Sequence, residues 1–186
     1  WIFANSHVSA MQWRAECARF TDIDPTAVML FSEAAEARSK RSWTCREVLC
    51  SPPALVVITY STFVSTIKRL QEGPCGQPEA RGPRLLAALL ALPWYRAVYD
   101  EAHTFPSAVN ERLQRAHGVL AVRRLGLSAT MRREDARIDL MHRHVGPVLY
   151  HASLADVSAY ISDVRVFSVQ LPFDEGVAMA TAAQVV

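Results

Sequence analysis

Long apolar runs are missing from this sequence. No stretch approaches the roughly 20 apolar residues that a membrane-spanning helix needs, so no membrane partner is expected. Charge of one sign is missing too: the formal net charge is +2, which does not mark a polyanion binder, and any such contact has to be local. Local basic clusters exist, from Arg38 to Arg46 and at Arg123, Arg124, Arg132 and Arg133, and a solvated charged face is the plain reading of each. Cysteine is scarce. The four residues Cys17, Cys45, Cys50 and Cys75 contain no C-x-x-C pair, which favours reduced thiols of an intracellular protein over a disulfide framework or zinc site. Among six histidines only His142 and His144 lie close, at a spacing of two that suits a strand and argues against a helical metal site. No basic-then-apolar leader opens the chain; it starts on Trp1-Ile2-Phe3-Ala4 as though in mid-strand, which suggests a piece of something longer.

What is present fits one domain: 186 residues, 51% hydrophobic and 20% charged, enough for a real core. Strands are expected at Trp1–Ala4, Ala27–Phe31, Leu55–Thr59, Arg96–Tyr99, Leu120–Leu127 and Ser162–Leu171. The continuous apolar run of Ala27–Phe31 reads as a strand buried on both faces. Helices are expected at Val8–Phe20, with Val8, Met11, Ala15 and Ala18 as the apolar stripe, and at Phe63–Gln71, Arg84–Leu92, about Ser107–His117, Glu134–His142 and Leu154–Tyr160. Ser32–Pro53 shows no clear period and reads mostly as loop. Gly73–Pro83, rich in glycine and proline, reads as an exposed loop. Strands alternating with helices predict an α/β fold with a mostly parallel sheet and helices on both faces.

Polar residues gather where strands end. Thr59-Tyr60-Ser61, Asp100-Glu101 and Ser128-Ala129-Thr130 each follow an apolar strand, and the carboxyl edge is where an open parallel sheet builds its site. The sharpest of these is Asp100-Glu101-Ala102-His103. Where a strand turns, neighbouring side chains can both reach the crevice: Asp100 to hold Mg²⁺ directly or through water, Glu101 to orient and deprotonate an attacking water, and His103 to carry the state of a γ-phosphate to a neighbouring element. The bland alternative is a helix start, since two carboxylates favour the amino end of the macrodipole. Ser128-Ala129-Thr130 alone would be an ordinary helix cap.

The ordered set resembles superfamily 2 helicases and, more narrowly, the first motor domain of the xeroderma pigmentosum group B helicase family. The matching stretches are Asn5 to Trp13, Ile58 to Ser61, Asp100 to Pro106, Leu125 to Thr130 with Arg133-Glu134-Asp135, and Val145 to Tyr150. The resemblance implies a three-layer RecA-like fold, incomplete at the N-terminus. It makes residues 1–171 part of an ATP-binding motor domain and 172–186 the start of a linker. It implies that Asn5, Ser6 and Ser9, and Thr59, Tyr60 and Ser61, line a DNA-backbone track. Asp100, Glu101 and His103 would be catalytic, with Asp100 and Glu101 at the metal, Ser128 and Thr130 would couple hydrolysis to movement, and Arg133, Glu134 and Asp135 would serve DNA opening. The implied cofactors are ATP and Mg²⁺. The implied partners are DNA, other subunits of transcription factor IIH and a second motor domain of the same parent chain. The implied setting is the nucleus, in transcription initiation and nucleotide excision repair by a 3'-5' translocase.

Departures matter as much. No Gly-x-x-x-x-Gly-Lys-Ser/Thr occurs, so the phosphate-cradling loop is not in this sequence. The expectation is that the chain alone does not hydrolyse ATP, because most of the electrostatic stabilisation for phosphoryl transfer lies elsewhere. Two other readings stand beside it: a catalytically dead scaffold in a transcription or repair complex, and another nucleic-acid motor of the DEAH-box kind, including an RNA-directed one.

Overall fold

The computed structural model describes residues 1–31, 43–72, 81–104, 121–129, 138–153 and 156. Residues 1–148 form one compact unit and 149–186 a second. In the second unit the main-chain N–H and hydroxyl of Ser153 each donate to the Asp156 carboxylate at 2.7 Å.

Among the described residues the first unit has five parallel strands: β1 (Ile2–Ala4), β2 (Val28–Phe31), β3 (Leu55–Thr59), β4 (Trp94–Tyr99) and β5 (Ala121–Gly126), in the order β2-β3-β1-β4-β5. The α/β class and parallel sheet are therefore as the alternation of elements predicts. β1 is central, with Phe3 opposite Ile58 on one side and Tyr99 on the other. Helix α1 (His7–Phe20) covers one face. On the opposite face lie α2 (Cys45–Cys50), α3 (Tyr60–Glu72) and α4 (Arg81–Leu90), around a core that includes Phe3, Phe31, Ile58, Ile67, Leu86 and Leu89. Helix α5 (Ile138–His144) places Met141 in that same core.

Several sequence expectations need correction. The stripe chosen for α1 faces water: Val8 is 77% and Met11 44% exposed, whereas Ala10, Trp13 and Cys17 meet the sheet. Both sets recur at helical spacing, and the sheet covers the one formed by Ala10, Trp13 and Cys17. β2 begins at Val28 and is an edge strand, apolar because its two faces are still covered. The stretch read as loop contains α2, whose start is fixed by a capping box. There the main-chain N–H of Thr44 donates to the Glu47 carboxylate, and the main-chain N–H of Glu47 donates to the Thr44 hydroxyl.

Helix α3 starts three residues earlier than its apolar pattern because the Thr59 hydroxyl accepts from the main-chain N–H of Thr62 at 3.1 Å, capping the first turn. Helix α4 starts at Arg81, inside the expected glycine and proline loop. Pro83 lies in its first turn, where a missing N–H costs no internal bond. Helix α5 runs to His144, two residues past the expected end. The helices expected at 107–117 and 154–160 and the strand at 162–171 fall wholly or largely outside the described residues. Among the described residues Cys17, Cys45 and Cys50 are free thiols, and burial pushes the Cys17 thiol up.

Candidate nucleotide and nucleic-acid site

Beneath the carboxyl edge of the sheet lies a row of three rings from three strand ends. Phe3 stacks on Tyr99 at 5.1 Å with planes 3° apart, and on Tyr60 at 5.9 Å and 17°. Such stacked rings, buried among aliphatic side chains, make a stiff floor. Burial, followed by the neighbouring Tyr99, Asp100 and Glu101, pushes the Tyr60 hydroxyl far above its ordinary range, so it remains a donor. It donates to the main-chain carbonyl of Asp100 at 2.8 Å, bridging β3 and β4 over the top of β1.

β4 ends at Tyr99, and the chain turns through Asp100 and Glu101 into a short 3-10 turn, Ala102–Thr104. Glu101 takes a positive φ of 48°. Non-glycine residues rarely sit there, at about 1–2 kcal/mol, and the surroundings have to enforce it. Two bonds do so: Thr104 donates to the Glu101 carbonyl from its main-chain N–H at 2.8 Å and from its hydroxyl at 2.9 Å. The two carboxylates therefore go to different partners. Asp100 Oδ2 accepts from the Trp13 indole N–H at 3.0 Å, and its Oδ1 accepts the Glu101 main-chain N–H at 3.1 Å. Glu101 Oε2 lies 3.2 Å from His103 Nδ1.

That same His103 nitrogen lies 2.7 Å from the Ser128 hydroxyl, so one ring atom is shared between the acid of β4 and the hydroxyl after β5. The shared nitrogen couples its neighbours: when Nδ1 carries a proton it can donate to Glu101 or Ser128, and when it does not, it accepts from Ser128 alone. The two strand ends are brought together by the main chain, where Leu127 N–H donates to Tyr99 O at 2.9 Å and Ala102 N–H to Leu127 O at 2.8 Å. Gly126 permits this approach. A Cβ there would lie 3.0 Å from Val145 Cγ1 and 3.1 Å from Ala102 Cβ.

The helix-start alternative for Asp100-Glu101 is answered in part by these partners. Asp100 spends its carboxylate on a helix 87 positions away, and the N–H it accepts nearby is that of the next residue, not of a later helical turn. For Mg²⁺, no group of three His, Cys, Asp or Glu side chains that could enclose an ion occurs among the described residues. Asp100 and Glu101 suit the mode in which magnesium takes one or two carboxylates and completes its shell with water and phosphate oxygens.

The residues expected along a nucleic-acid track divide by role. Ser6 caps α1, its hydroxyl accepting from the Ser9 main-chain N–H at 3.1 Å, and Thr59 caps α3. Ser61 is exposed with its hydroxyl 3.1 Å from that of Thr59, and Asn5 is exposed. The starts of α1 and α3 thus lie at the ends of adjacent strands, with first-turn N–H groups of the kind that meet phosphate. Of the basic cluster, Arg123 lies over the Tyr95 ring at 5.5 Å and Arg124 donates to the His144 carbonyl at 2.9 Å. Thr130, Arg133, Glu134 and Asp135 lie outside the described residues. Sequence reasoning passed over Trp13 as a site residue; the signal was an indole at the face-forming position of a helix that starts beside the site.

No protein-family model matches the sequence. Curated relatives do. The chain is 27% identical over 157 residues to the "General transcription and DNA repair factor IIH helicase/translocase subunit XPB" of Schizosaccharomyces pombe, a match covering 84% of this chain and 17% of that protein. The subunit of the same name from Danio rerio is 29% identical over 173 residues, covering 92% of this chain and 19% of the relative. The XPB/SSL2 subunit of Saccharomyces cerevisiae is 27% identical over 173 residues, 92% and 18%. The chain spans about a fifth of the length of these relatives. Over most of its length the chain is thus similar to XPB helicase/translocase subunits.

Proposed function

We propose that this chain supplies the carboxylate half of the nucleotide site, and part of the DNA track, of an ATP-dependent DNA translocase of the XPB type. Residues 1–171 would belong to its first motor domain and 172–186 to the linker that follows. The observation that carries this reading is the arrangement at the ends of β4 and β5: Glu101 and Ser128 meet at one nitrogen of His103, and Asp100 stands next to them with its carboxylate on the Glu101 main-chain N–H. Asp100 would hold Mg²⁺, which when bound neutralises charge on the phosphates. Glu101 orients the attacking water and takes its proton at Oε2, a role for which its 40% exposed side chain is open to solvent. His103, placed between Glu101 and Ser128, passes a change at the acid to β5. Thr130 would extend that link, and Arg133, Glu134 and Asp135 would act on the DNA.

Phosphate groups would dock on the first turns of α1 and α3, with Asn5, Ser9, Tyr60 and Ser61 around them. Contacts of this kind hold a strand without reading its sequence, as a translocase requires. The names of the relatives support a place beside other factor IIH subunits in transcription and DNA repair, and therefore a nuclear one. The phosphate-cradling loop of the same motor domain and a second motor domain, neither contained in this sequence, would complete the site, so hydrolysis by the chain alone is expected to be negligible.

The test is nucleic-acid binding by the 186-residue chain, measured with DNA and RNA oligonucleotides of one sequence across a salt series. Binding to DNA that weakens with salt, and weakens about threefold or more in Asn5→Ala and Ser61→Ala with the melting temperature unchanged, is expected; threefold is roughly one lost polar contact. Preference for RNA would overturn the DNA reading in favour of an RNA-directed motor, and no binding to either would overturn the track.

A further inference from the structure

Trp13 does more than cover the sheet. It lies on α1 with Ala10 and Cys17, partly buried against the cluster of Ile2, Ala4 and Val57, and packing alone would be served by any large apolar side chain. Its Nε1–H, however, donates to Asp100 Oδ2 at 3.0 Å, a contact that an apolar side chain could not make. The main chain of Asp100 is already fixed, its N–H on Phe3 O at 2.9 Å and its carbonyl on the Tyr60 hydroxyl at 2.8 Å. Oδ1 is held by the Glu101 N–H at 3.1 Å. The indole therefore settles the remaining freedom, the direction in which the carboxylate presents its free lone pairs.

We propose that Trp13 is a positioning residue for Asp100, and that through it the start of α1 is mechanically linked to the acid at the end of β4. Ser9 precedes Trp13 by about one helical turn, roughly 6 Å along the axis. A displacement of the first turn of α1 on a bound strand is thus delivered to the Asp100 carboxylate without passing through the sheet. The link rests on the reading that Asp100 takes a divalent cation and that α1 meets nucleic acid; the bond itself does not.

The experiment uses the 186-residue chain with ¹⁵N-labelled indoles, in four forms: wild type, Asp100→Ala, Trp13→Phe, and a chain with β-(3-benzothienyl)alanine at position 13, whose ring keeps its shape and replaces only the N–H by sulfur. Solvent exchange of the Trp13 Nε1–H is expected to be slow in the wild type and at least about tenfold faster in Asp100→Ala, tenfold corresponding to about 1.4 kcal/mol. Mn²⁺ alone is then titrated and paramagnetic broadening around Asp100 followed. The midpoint is expected to rise about tenfold in both position-13 variants, at the low end of what loss of an outer-shell partner costs a metal site. A thermal melt confirms that each chain is folded.

If the benzothienyl chain keeps the wild-type Mn²⁺ midpoint, Trp13 only packs and the proposal is overturned. Equal indole exchange in wild type and Asp100→Ala overturns it at the bond. Should Mn²⁺ broaden nothing near Asp100 in any form, the nucleotide-site reading falls and the positioning role with it, while the exchange arm still reports on the bond separately.

Discussion

Replacing Gly126 with alanine presses on the contact that brings β5 to the acidic turn. The new methyl would sit 3.0 Å from Val145 Cγ1 and 3.1 Å from Ala102 Cβ, against an optimum of roughly 3.5–4.0 Å between carbons. Both neighbours have to give by about 0.5 Å or more. Val145, just after α5 and partly exposed, can do so, but Ala102 is 1% exposed and its N–H is held on Leu127 O at 2.8 Å. Overpacking of this kind costs about 1–3 kcal/mol, and the alanine returns about 0.4–1 kcal/mol by narrowing the unfolded ensemble. The net destabilisation is centred on about 1.3 kcal/mol, which for a chain of this size lowers the melting temperature by roughly 3–5 °C. Thermal and urea melts measure it. Trimming Val145 to alanine removes the closer of the two contacts, so the double variant is expected to be more stable than the sum of the singles by about 1 kcal/mol. A Gly126→Ala chain that melts higher than wild type, or strict additivity with Val145→Ala, would refute the account of how these strand ends are held.

Two further outcomes follow from the same structure. Thr59→Ala removes the cap of α3 from a buried position and is expected to cost about 1–2 kcal/mol in urea denaturation, with Thr59→Ser recovering most of it. In a chain whose first residue is Trp1, burial lowers the α-amine to about 6 from 8.0. The amine is neutral in both states above pH 8, and below it the unfolded chain binds the proton first. Stability is therefore expected to fall as pH drops from 8 to 6, by up to about 2–3 kcal/mol, and then to level off. Denaturation curves at pH 6 and 8 on free and Nα-acetylated chains show this as a pH dependence confined to the free amine.

What could be read from the sequence follows from how far the relevant forces reach along it. Leu55–Thr59 declares itself because β-branched residues in an unbroken apolar run have few other uses. The acids, His103 and Ser128 could be placed at one edge because each follows a strand, and parallel strands present their carboxyl ends on one side. Helix α1 shows where such reading stops: each of its two candidate stripes carries small residues, Ala15 and Ala18 on one and Ala10 on the other, and only the sheet beneath chooses. Helix α2 is too short, at six residues, to show a period, although its Thr44-x-x-Glu47 cap stood in plain view. The bonds of Trp13 and Tyr60 to Asp100 join residues 87 and 40 positions apart, and no local pattern encodes them.

The central claim, that Glu101 is the base of a nucleotide hydrolase site, is tested most directly in a chimera. The 157 residues that align with the Schizosaccharomyces pombe relative replace their counterparts in that protein, and DNA-stimulated ATP hydrolysis is measured with Glu101 and with Glu101→Gln. Removal of the base is expected to lower kcat by about 10²–10⁴ with KM for ATP little changed and the melting temperature preserved. A folded, active chimera whose kcat is indifferent to Glu101→Gln would contradict the claim.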